Sequence, residues 1–160
     1  MAALLAFAVS SATAKDENSN RARARLDSYQ ETPTLSTTGH GEFTARINGS
    51  SIEYTLMYAD LEGTTTLAAH IHLGRPAIQG GVSAFLCGGG NKPPCPPTSG
   101  TVSGTIVATD VIGPTNQGIA PGEFDELVRA MRASATYANV HTNLFPGGEI
   151  RGRIRVNNED

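Results

Sequence analysis

Two histidines stand one residue apart in "AAHIHLG", His70 and His72, in a chain that holds four. On a strand such a pair projects to one face, with Cα atoms about 6.5–7 Å apart. Imidazole nitrogens bind metal ions at about 2 Å, so two rings at that spacing are able to converge on one ion. A third ligand has to come from another strand. His141, in "NVHT", is the first candidate, because Tyr137, Asn139 and His141 alternate onto one face of a predicted strand. His40, between glycines in "TTGHGEF", is a weaker fourth candidate. Imidazole suits copper, zinc, nickel and iron alike; with no thiolate at hand and few carboxylates nearby, copper or zinc is favoured. An exported protein with an all-histidine site leans toward copper. Taken alone, an H-x-H pair more often marks two solvated positions on a half-exposed strand, since a motif is only as informative as its structural context.

Glu149 and Arg151 follow His141 closely and make a candidate polar cluster with it. Within that cluster Asn139 lies alongside, and Glu149 is a candidate to orient an imidazole. The competing reading is an ordinary cross-strand ion pair. Other chemistries find no support: the chain has no G-x-S-x-G elbow, no P-loop and no dinucleotide fingerprint. Cys87 and Cys95 enclose "GGGNKPP", and in an exported protein they are expected to form a disulfide, worth on the order of 2–3 kcal/mol by chain entropy. That pairing would leave no thiol nucleophile.

Period-two alternation supplies the elements that must position these residues. "EFTARI" (42–47) puts Phe43, Ala45 and Ile47 on one face, and "SIEYTLMY" (51–58) does the same with Ile52, Tyr54, Leu56 and Tyr58. "NGSS" between them is a strong hairpin signal. Further strands are predicted at 23–30, 67–73, 82–87, 101–109, 136–142 and 149–156. Gly152, inside the last, leaves room for a bulge or for close approach of a neighbouring segment. One stretch reads differently: Phe124, Leu127, Val128 and Met131 recur at helical spacing. Asp125 and Glu126 lie in its first turn and Arg129 and Arg132 in its last, so a helix is expected over about 122–133. The fold class is therefore all-β, an antiparallel sandwich or barrel of about eight strands with one short helix.

The N-terminus, "MAALLAFAVSSATAKDENSN", has an apolar run leading to small residues, although no Lys or Arg precedes it. It reads as a secretory signal peptide over 1–14, followed by a polar leader at 15–22 and a β domain at 23–157. The expected location is periplasmic or extracellular, with no membrane span. Net charge is −3, so bulk electrostatics point to neither nucleic acid nor an anionic membrane. The basic runs "RARAR" (21–25) and "RGRIR" (151–155) alternate with small or apolar residues and read as solvated strand faces.

Three segments in order, "LDSYQETPTLSTTGHGEFTARI", "HIHLGRPAIQGGVSAFLC" and "GEFDELVRAMRASATYANVHTNLFPGGEIRGRI", resemble the chordin-like (CHRD) domain family, over roughly residues 24 to 156. The resemblance implies a compact exported β domain of the stand-alone bacterial type. Such domains also stand in tandem in the extracellular chordins, which bind growth factors, and a non-catalytic module engaging an envelope protein or polysaccharide is a second expectation. "AAHIHLG" with the later "NVHT" is also similar to the copper-ligand strands of Cu/Zn superoxide dismutase. That likeness implies His70, His72 and His141 as copper ligands. "GRPAIQGG" (74–81) offers neither His nor Asp for a second metal, so the implied site is mononuclear.

Overall fold

The computed structural model describes residues 20–157; the expected signal peptide and residues 15–19 of the polar leader lie outside them. Within the described residues the alternating segments form strands β1 (Arg21–Asp27), β2 (His40–Asn48), β3 (Ser51–Ala59), β4 (Thr66–Leu73), β5 (Gly81–Cys87), β6 (Gly100–Ile106), β7 (Thr136–Thr142), β8 (Ile150–Arg153) and β9 (Arg155–Val156), with one α-helix, α1 (Phe124–Arg132). Every pairing is antiparallel. The sheet order is β5-β4-β7-β8-β1-β2-β3-β6, with β9 also paired to β1. The two ends of that order, β5 and β6, approach each other, so the sheet curls into a nearly closed barrel. This is the expected all-β class with its single helix.

The barrel interior is filled by the inward face of each strand. Phe43, Ala45 and Ile47 of β2 and Ile52, Tyr54, Leu56 and Tyr58 of β3 are all buried, as their alternation requires. Each large side chain among them stabilises the fold by roughly 1.5–3 kcal/mol. The hairpin closes through Gly49–Ser50, with Asn48 already paired to Ser51. Helix α1 buries Phe124, Leu127 and Met131 and lies beside β9. Its acidic first turn and basic last turn complement the helix dipole. Cys87 and Cys95 are joined in a disulfide.

Some boundaries differ from the sequence reading, and side chains explain why. β1 begins at Arg21 and ends at Asp27, whose carboxylate accepts a hydrogen bond from the Gln30 N–H and turns the chain into a short 3₁₀ segment. β6 stops at Ile106, because the Asp110 carboxylate accepts from the Val107 N–H and starts another such turn. The last strand is two pieces, β8 and β9, interrupted at Ile154. The "RARAR" run behaves as a solvated face, with Arg21, Arg23 and Arg25 exposed and Ala22 and Ala24 buried. "RGRIR" does not: Arg155 is exposed, whereas Arg151 is buried. Between them Gly152 brings β8 close to β1, since a Cβ there would stand 2.0 Å from the Arg25 carbonyl oxygen.

Candidate functional site

Strand β4 runs between β5 and β7. Ala69 and Ile71 point into the barrel and are fully buried, so His70 and His72 lie on the outer face. Register carries the remaining residues to the same place: His70 opposes Asn139, His72 opposes Tyr137, and His141 opposes Ala68. An outer sheet face is normally wet, yet His72 is 6 % exposed and His141 9 %. Two connections cover them, the one between β4 and β5 and the one between β7 and β8. Phe85, opposite His70 on β5, closes a third side with its ring centre 4.5 Å from the imidazole. Gly89 and Gly90, inside the disulfide-closed loop, pack directly on the Phe85 ring.

Each covering loop grips one histidine. His72 Nδ1 lies 3.0 Å from the Gly80 carbonyl oxygen, and His141 Nδ1 lies 3.0 Å from that of Pro146. A carbonyl only accepts, so both Nδ1 atoms carry the proton and both Nε2 atoms keep a free lone pair. Those two Nε2 atoms and Nδ1 of His70 are buried without any hydrogen-bond partner. The donor nitrogens of the three rings lie within 4.8 Å of one another. Two nitrogens bound to one ion stand at most about 4.2 Å apart, so the set closes on an ion with an adjustment of roughly 0.6 Å.

The electrostatics favour uncharged rings. Burial, followed by the neighbouring His141 and His72, drives His70 from 6.5 down to about 3. Burial likewise drives His72 to about 4, against the Gly80 hydrogen bond and with His141 and Arg151 adding to the fall. His141 is lowered by burial and by Arg151, against its bond to Pro146. All three are therefore neutral at pH 7 and able to ligate without displacing a proton.

A buried polar stack supports this cluster. The Tyr137 ring lies parallel to His72, with centroids 4.8 Å apart and planes at 6°. Its hydroxyl accepts the Gly80 N–H at 3.0 Å, so Gly80 contacts both rings of the stack. The Arg151 guanidinium carbon sits 4.7 Å from the Tyr137 ring centre. Arg151 Nε donates to one Glu31 carboxylate oxygen at 2.8 Å, and Asn139 Nδ2 donates to the other at 2.6 Å. Burial pushes the Glu31 carboxyl above its ordinary value, and Arg151 and Asn139 pull it back. Gly148, at φ +126°, closes the β7–β8 loop over this pair, where a Cβ would fall 2.6 Å from Asn139 Nδ2 and 2.7 Å from Glu31 Oε1.

The structure thus brings His70, His72 and His141 together and leaves His40 apart. His40 is exposed; its Nδ1 lies 3.3 Å from the Thr38 carbonyl oxygen and 3.8 Å from the Asp60 carboxylate. Asn139 is adjacent, but its amide serves Glu31 and the Ile150 carbonyl. Two expectations need correction. Arg151 pairs with Glu31 and not with Glu149, and it is buried where a solvated position was expected. Glu149 orients no imidazole: fully buried, it accepts from the N–H groups of Glu62 and Gly63 and from Thr142 Oγ1. Backbone carbonyls of Gly80 and Pro146 do that orienting instead. Sequence reasoning did not find Glu31, Phe85, Gly80 or Pro146. Tyr137 was visible only as a face-sharing neighbour of His141.

No curated protein and no solved structure matches the chain. The family model described as the CHRD domain matches residues 22–154, nearly all of the described fold and every residue of the histidine cluster, so the chain belongs to the CHRD domain family.

Proposed function

We propose that this protein is an exported CHRD module that holds a single metal ion, copper foremost and zinc as the alternative, through His70 Nδ1, His72 Nε2 and His141 Nε2. Its role would be copper handling or redox chemistry in the periplasm or the extracellular space. The observation that carries this reading is the convergence of three buried nitrogens without partners. One unsatisfied buried polar atom costs about 1–3 kcal/mol, and a shared electrophile would satisfy all three. The carbonyl bonds at the far nitrogens of His72 and His141 are the usual means of fixing a metal ligand's tautomer. Family membership supports a small extracellular-type binding module, and the disulfide suits an oxidising compartment.

The test is a thermal melt and a binding titration of chelator-stripped protein with copper and with zinc. Binding of one equivalent, with a stabilisation near 2.7 kcal/mol when free metal is about 100 times Kd, is expected. It should be lost in His72→Ala and in His141→Ala and kept in His40→Ala. Melts that ignore both metals would overturn the reading and leave a metal-free module that engages a protein or polysaccharide.

A further inference from the structure

We propose that the site selects copper in its cuprous state, and that Arg151 sets the selection; this deepens the metal reading above and rests on it. Three features combine. First, the cluster's donors are neutral imidazoles, and no carboxylate or thiolate joins them among the described residues. The cost of burying an ion grows with the square of its charge, so an uncharged, largely buried donor set penalises a divalent ion far more than a monovalent one. Second, three nitrogens meet the needs of a cuprous ion. A cupric ion favours a tetragonal set with additional nitrogen or oxygen donors, and zinc favours four ligands. Here the Phe85 ring packs against His70, and the two covering loops hold His72 and His141 through the Gly80 and Pro146 carbonyls.

Third, the cationic half of the buried Arg151–Glu31 pair stands one ring beyond the ligand set. The guanidinium lies over Tyr137, which in turn stacks on His72. The buried carboxylates nearby are committed elsewhere, Glu31 to Arg151 and Asn139, and Glu149 to Glu62, Gly63 and Thr142. Glu31 offsets the Arg151 charge in the intact pair; losing the guanidinium alone removes one unit of charge within about 10 Å, which at an effective dielectric constant near 20 changes the relative affinity for a monovalent and a divalent ion by at most roughly tenfold.

The experiment compares three metals on the full chain. Cuprous ion is titrated anaerobically against bicinchoninate, cupric ion against glycine, and zinc against a chromophoric chelator. Wild type is expected to bind one cuprous ion about 100-fold or more tighter than cupric or zinc ion. In Arg151→Met the cuprous-to-cupric preference should fall by up to roughly tenfold, and Arg151→Lys should restore most of it. The double variant Glu31→Gln/Arg151→Met removes the neutral pair as a whole, so its preference should fall far less than that of Arg151→Met. Cupric or zinc binding as tight as cuprous would overturn this inference and leave the metal site standing. Absence of binding by all three would overturn both. An unchanged preference in Arg151→Met, or an equal fall in the double variant, would remove Arg151 from the account.

Discussion

Acidification should destabilise the metal-free protein through its histidines. An unfolded histidine titrates near 6.5, whereas folded His70 titrates at about 3 and folded His72 at about 4. The fold holds both rings neutral, so their contribution is intact above pH 6.5 and is lost as pH falls toward the folded values. Between those limits each ring costs about 1.4 kcal/mol per pH unit. At pH 5 that amounts to about 2 kcal/mol for each, or roughly 4 kcal/mol for the two. His141, lowered by its own burial, adds in the same direction. Glu31 acts oppositely: its raised carboxyl favours protonation in the fold, so it softens the decline at the acid end. Because domains are typically stable by 5–15 kcal/mol, the effect is large enough to read directly. Urea denaturation in the presence of a chelator at pH 7.5, 6 and 5 gives the slope. The His70→Gln/His72→Gln/His141→Gln variant should lose most of it. Wild-type stability that stays flat between pH 7 and pH 5, or a triple variant with an unchanged slope, would refute the reasoning.

Two further substitutions probe the frame around the site. Glu149→Gln keeps the volume but gives up charge-assisted bonds from Glu62 N–H, Gly63 N–H and Thr142 Oγ1. A loss of about 2–4 kcal/mol in denaturant stability is expected, with metal affinity in the folded fraction little changed because no imidazole is touched. Gly152→Ala places a methyl group against the Arg25 carbonyl oxygen. Since backbone must move to admit it, β1 and β8 should separate at a cost of about 3 kcal/mol or more, visible as a lowered melting temperature.

Much of the fold is legible because period-two alternation is a local property. Phe43, Ala45 and Ile47 announce a half-buried strand without reference to any partner, and Phe124, Leu127 and Met131 announce a helix in the same way. The histidine pair is legible for the same reason: His70 and His72 must share a face once β4 is a strand. What joins them to His141 is the register of β4 against β7, and no local pattern encodes a pairing across that much chain. The supporting contacts are less visible still. Glu31 meets Arg151 over a separation of 120 residues, and the groups that hold His72 and His141 are backbone carbonyls, which every residue possesses. Glu149 misled because proximity in sequence to His141 suggested proximity in space, while the β3–β4 loop claimed its carboxylate first.

The split of the cluster between β4 and β7 has a mechanical consequence. A slip of one residue between these strands would turn His141 to the opposite face of the sheet. An ion seated on all three rings would therefore act as a rivet that accepts only one alignment of the barrel's staves. Force applied along β7 would have to shear the rivet before the ladder could slide. Metal loading should accordingly show itself as mechanical resistance confined to that seam, with the opposite wall formed by β2, β3 and β6 left as compliant as before.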